Sequence, residues 1–164
     1  MKKFLAVLLS ALAINASFMP AAQAQTSDEV LLKEVYSLLV ENRASAVKIA
    51  ASMGIVASTV LPQPGDQAQV NNVLMVRNQY LFKQIAAKLG AEVATVTPTS
   101  GTLIEQNNLI LRGNRTVVKA ILLSLGLDVS GALPLKGSLV EQNRDLLLGN
   151  KAALAAIAAK LGVM

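Results

Sequence analysis

The chain has 164 residues, no cysteine and no histidine, and a net charge of +5 at pH 7. These absences remove disulfide frameworks, thiolate and imidazole metal sites, and Ser-His-Asp or Cys-His catalysis. Charges are interspersed and aromatic residues make up only 3% of the chain, which excludes a basic nucleic-acid platform with stacking rings.

Met1–Ala24 reads as a Sec signal peptide. Lys2 and Lys3 form a positive n-region, and Phe4 to Met19 is an apolar h-region interrupted only by Ser10, Asn15 and Ser17. Ala22-Gln23-Ala24 is an A-x-A cleavage site, so cleavage after Ala24 is predicted, with a mature chain from Gln25. No cysteine stands near the site to carry a lipoprotein anchor. The expected address is periplasmic or secreted. Residues 25–164 are sized for a single domain with its own core. No transmembrane span is expected there, since no apolar run reaches the roughly 18 residues required.

The mature segment repeats with a step of 36 residues. Asn42, Asn78, Asn114 and Asn150 fall on one another, as do Gly54, Gly90, Gly126 and Gly162. Pro62, Pro98 and Pro134 align too, as do Gly65, Gly101 and Gly137. A fixed period of this size signals repeated supersecondary units, here 30–65, 66–101, 102–137 and 138–164. Thr102 with Glu105 and Ser138 with Glu141 are capping boxes, and Asp66 with Gln69 is the same device in other residues. The first unit lacks it in register and offers Thr26 with Glu29 instead. The four aligned glycines suit the left-handed position just after a helix.

Between the caps an apolar stripe runs Leu31, Val35, Leu38, Asn42, Ala46, Ile49, Met53 in the first unit. In the last it runs Leu139, Asn143, Leu146, Asn150, Leu154, Ile157, Leu161. Its spacing averages about 3.67, that of a nearly straight helix, and the phase holds across the aligned Asn. One continuous helix per unit is therefore predicted, although Gly113-Asn114 and Gly149-Asn150 are turn-like pairs that would instead split it into a helical hairpin. In a continuous helix the four Asn share one central layer, and Asn71, Asn107 and Asn143 repeat the pattern one heptad earlier. Buried amides need partners, and such a layer sets register.

The connectors Ile55–Gly65, Ala91–Gly101 and Leu127–Gly137 are long for antiparallel hairpins, and each, extended, spans about 36 Å, a whole helix. The predicted fold is all-α, four 36-residue helical repeats forming a helical bundle or an α-solenoid. β-branched residues in Ile55–Val60 and Val93–Thr97 keep open a helix–strand repeat with a small parallel sheet. Tetratricopeptide and Sel1-like arrays have similar periods, but their aromatic and glycine landmarks are missing here.

No phosphate-binding glycine loop is present and the ten carboxylates are scattered. Glu92 and Asp128 share one repeat position, which Val56 takes in the first unit. Catalytic, metal-binding and cofactor-binding residues are therefore expected to be absent. Mean hydropathy of +0.50 with 53% apolar residues leaves more apolar surface than a small domain needs. The last unit carries no polar terminal face, and Ala152–Ala159 is nearly all apolar. The reading is an exported, non-enzymatic structural or interaction protein that self-assembles or binds another envelope protein. The alternative is an apolar-ligand or lipid carrier, or a membrane-surface protein.

Overall fold

The computed structural model describes residues 21–91, 93–95, 98–128 and 135–163. Most of the signal segment and Glu92 lie outside them. Among the described residues four helices make up the regular structure: α1 (Ala21–Ser52), α2 (Gln67–Lys88), α3 (Leu103–Ser124) and α4 (Leu139–Lys160). Among the described residues there is no strand.

Local chemistry sets the helix ends. Thr102 Oγ1 accepts from the Glu105 N–H at 3.3 Å while Glu105 Oε2 accepts from the Thr102 N–H at 2.7 Å. Ser138 and Glu141 repeat the pair at 3.3 and 2.6 Å. Asp66 supplies the forward arm alone, accepting from the Gln69 N–H at 2.9 Å. Gly137, just before the second box, has φ 80° and cedes the space of a Cβ to the Glu141 carboxylate. At the other ends Gly54, Gly90, Gly126 and Gly162 have φ of 75°, 73°, 68° and 67°. Each following residue donates back to the last turn, Ile55 to Ala50 O, Ala91 to Ala86 O, Leu127 to Leu122 O and Val163 to Ala158 O, at 2.8–2.9 Å. All four helices thus close with a Schellman motif.

The first helix departs from the sequence reading. α1 starts at Ala21, upstream of Thr26, so the Thr26–Glu29 box does not begin it and Ala21–Ala24 continues the helix. Glu29 instead pairs with Lys33 at 2.7 Å, one turn along.

Each of α2, α3 and α4 is 22 residues long, about 33 Å. All run parallel. Asn71 and Asn78 of α2 donate to Leu32 O and Leu39 O of α1, so both partners advance by one heptad in the same direction. Asn107 and Asn114 of α3 stand likewise to Ala68 O and Met75 O of α2. Asn108 and Arg115 of α3 meet Asn143 and Gly149 of α4 in the same sense. Packing follows the cyclic order α1–α2–α3–α4–α1, so the molecule is a closed bundle and not an open solenoid. This closure answers the missing polar end unit: α4 packs on α1, leaving no terminal face to cover.

Parallel helices oblige each connector to return the full helix length, and the described residues of the first two connectors lie against the outside of a seam. Arg43 and Arg77 hold the first through Ser58 O and Val60 O. Lys83 and Gly113 border Thr95 of the second. Different seams border the two segments, a helix apart. Among the described residues the small parallel sheet does not form, and Val96, Thr97 and residues 129–134 of the connectors lie outside them.

The core falls into two apolar clusters. One gathers Val35, Leu39, Leu74, Met75, Ile110, Leu111, Val140 and Leu147 in the N-terminal half. The other gathers Ile49, Phe82, Ile85, Val118, Ile121, Leu154 and Ile157 in the C-terminal half. Burying each large side chain contributes on the order of 2 kcal/mol. Between the two clusters lies the level of Asn42, Asn78, Asn114 and Asn150.

Candidate functional site: a buried amide layer

The Gly-Asn pairs do not break the helices; α3 and α4 run through Gly113-Asn114 and Gly149-Asn150. Asn42, Asn78, Asn114 and Asn150 each retain only 1% of their exposure. Three of them make one repeated bond to the preceding helix of the ring. Asn78 Nδ2 donates to Leu39 O at 3.2 Å, Asn114 Nδ2 to Met75 O at 3.1 Å, and Asn42 Nδ2 to Leu147 O at 3.1 Å. Each acceptor lies three residues before the neighbour's own Asn. The corresponding acceptor for Asn150 is in α3, but neither of its side-chain atoms has a protein partner.

A second ring lies one residue further on and reaches forward to the next helix. Arg115 Nη1 donates to Gly149 O at 2.8 Å, and Lys151 Nζ pairs with Glu41 at 2.7 Å. Gln79 Nε2 lies 3.1 Å from where a Cβ on Gly113 would stand. Gly113 and Gly149 are therefore points of close approach where a neighbour's long side chain crosses bare helix backbone. Arg43 faces Arg77 at the same position, and burial, then the charge of Arg77, lowers the Arg43 pKa. Its guanidinium is anchored on Asn78 Oδ1 at 3.2 Å and on the Ser58 carbonyl. Burial alone lowers the Arg115 pKa.

The heptad-earlier amides make a second, partial layer. Asn71 donates to Leu32 O at 3.0 Å and Asn107 to Ala68 O at 3.1 Å. Asn143 accepts from Asn108 at 2.9 Å, and Asn107 accepts from Asn72 at 2.7 Å. Val35 holds the position in α1, so this layer stays open on one side.

Arg43, Gln79, Asn108 and Arg115 were not singled out from the sequence. Their signal was adjacency: each follows a stripe Asn directly, and in a closed bundle the buried face is wider than one row. The Leu39, Met75, Leu111 and Leu147 row, 0–1% exposed, was missed for the same reason. Gly54, Gly90, Gly126 and Gly162 lie at the C-terminal helix ends, away from the amides.

The outer surface is uneven. On α2, Val73, Val76 and Tyr80 form a stripe 39%, 46% and 67% exposed. The same positions are Ser37, Val40 and Ala44 on α1, Leu109, Arg112 and Thr116 on α3, and Asp145, Leu148 and Ala152 on α4. Val56, 96% exposed, closes an open cleft of about 640 Å³ against Val76, Arg77 and Tyr80. Ala152, Ala155, Ala156 and Ala159 are exposed small residues, and Leu154 and Ile157 face the core.

These features define a class: a parallel four-helix bundle, closed on itself and divided by a central layer of asparagines. Comparison with protein families, with curated proteins and with solved structures finds no match to this chain.

Proposed function

We propose that the protein is an exported, non-enzymatic structural or interaction module, built from four 36-residue helical units, whose work is done by its outer surface. The observation that carries the reading is the exposed stripe Val73, Val76 and Tyr80, beside Val56 of the first connector. An apolar face of this kind on one helix out of four marks a contact surface. Among the described residues the buried polar side chains are amides and the Arg43 guanidinium, which serve structure better than acid–base or nucleophilic chemistry. Glu105 and Glu141 are engaged as helix caps.

The partner we propose is a second copy. α2 carries Arg77, Lys83 and Lys88 and no carboxylate, whereas α1 beyond its first turn exposes Asp28, Glu29 and Glu34 around Val30, with Glu29 paired to Lys33. α2 of one copy against α1 of the next is a heterologous contact, which generates rings or filaments. Loss of Met1–Ala24 trims four residues from α1 and leaves that acidic turn in place.

Native mass spectrometry of the mature chain tests this. Discrete oligomers without added mass, reverting to monomer in Val76→Asp with an unchanged circular dichroism spectrum, are expected. A bare monomer at every concentration overturns the reading. A second reading rests on the same cations beside the same apolar stripe, which also suits an anionic lipid surface. Lipid-sized added mass, or co-sedimentation with phosphatidylglycerol vesicles, would select it. No described helix is long and apolar enough to cross a membrane.

A further inference from the structure

We infer that the central amide layer holds one internal water molecule, which donates to Asn42 Oδ1 and Asn114 Oδ1 and accepts from the Asn150 amide. Asn42 Oδ1, Asn114 Oδ1 and both side-chain atoms of Asn150 have no protein partner, although each residue is 99% buried. Their fourth companion is satisfied, because Asn78 Oδ1 accepts from Arg43. Direct pairing does not solve the deficit. The Nδ2 groups of Asn42 and Asn114 are committed to backbone carbonyls of neighbouring helices, and α1 and α3 stand diagonally across the ring.

The two apolar clusters stop on either side of this level, so the amides occupy a polar slab between them. A water's two O–H groups suit the Asn42 and Asn114 oxygens and its lone pair suits the Asn150 Nδ2–H, which makes three bonds, about what buried waters typically make, and leaves Asn150 Oδ1 outside the set. An anion is disfavoured because the paired shortfall across α1 and α3 is of donors. A cation is disfavoured by the guanidiniums of Arg43 and Arg115 beside the layer, where burial already opposes positive charge.

The test is water–protein cross-relaxation by NMR on the full mature chain, reading the Asn42, Asn114 and Asn150 side-chain NH₂ groups. We expect cross-peaks to water whose NOE-to-ROE ratio marks a molecule bound longer than the tumbling time, unchanged when sodium is replaced by potassium or choline. In Asn150→Leu the cross-peaks at Asn42 and Asn114 should disappear or fall at least several-fold. Saturable shifts with sodium or potassium would overturn the water in favour of a cation. A crystal structure of the wild-type chain gives a second measurement that needs no variant. Electron density for a water between Asn42, Asn114 and Asn150 supports the inference, and an Asn150 amide bonded directly to Asn42 or Asn114 refutes it.

Discussion

Across the α1–α2, α2–α3 and α4–α1 seams, an asparagine at mid-height donates to a neighbouring backbone carbonyl at 3.1–3.2 Å. Across the α3–α4 seam Asn150 makes no such bond, and Arg115 reaches Gly149 O at 2.8 Å from the outer ring. The residue and its place in the helix are the same in both cases, but the neighbours differ. At the fourth seam a guanidinium lies on bare backbone and Asn108 bonds Asn143. Of these two contacts only Arg115 on the Gly149 carbonyl is particular to that seam, since Asn108–Asn143 repeats the Asn72–Asn107 bond of the α2–α3 seam.

The comparison predicts unequal losses from one substitution. Asn78→Leu removes the bond to Leu39 O and strips Arg43 of its buried acceptor, so unfolding in urea should show a loss of about 3 kcal/mol. Asn150→Leu breaks no protein–protein bond and should cost about 1 kcal/mol. Equal losses would mean that the four seams are equivalent after all.

The outer ring sharpens the contrast. Arg115→Met should cost about 2 kcal/mol, because a half-buried charge-assisted bond to Gly149 O is lost. Lys151→Met removes an ion pair whose side chains are 54% and 50% exposed, and should change stability by less than about 0.5 kcal/mol. Thermal melts of the two variants at low and high salt would separate them, with only Lys151→Met losing its effect in salt.

The smallest effects belong to the capping boxes. The Thr102 backbone N–H, then its hydroxyl, lowers the Glu105 pKa, and Ser138 does the same for Glu141. A depressed folded pKa means stability present above the unfolded value and lost as pH falls through the folded one. Melting temperature should therefore decline on the acid side of the ordinary glutamate range. Glu105→Gln and Glu141→Gln together should flatten that decline, and an unaltered pH profile would remove the carboxylates from the account.

Much of this bundle could be read before folding it. The stripe from Val35 through Asn42 to Ile49, and its counterpart from Asn143 through Asn150 to Ile157, is buried throughout. Thr102, Ser138 and the four closing glycines act where local chemistry alone requires them. Thr26 and Glu29 lie inside α1 and not at its start, because the alanine-rich residues before them also favour helix. The Gly113-Asn114 and Gly149-Asn150 pairs read as turns because a pair statistic carries no information about the side chain that crosses from the neighbouring helix.

What the sequence by itself determined is therefore periodic and local: four aligned helices, their ends apart from the start of α1, and the level at which amides interrupt an apolar core. Hydrogen bonds within a turn and the 3.6-residue pitch act over a few residues, so their traces survive in the linear order. Only the tertiary structure decided that the helices run parallel, that α4 closes on α1, and that Arg43, Gln79, Arg115 and Lys151 each face the next helix. Those outcomes depend on contacts between residues about 35 or more positions apart. They decided as well that three asparagines spend their amides on neighbouring backbones while the fourth does not, because partner choice follows from which helix lies alongside.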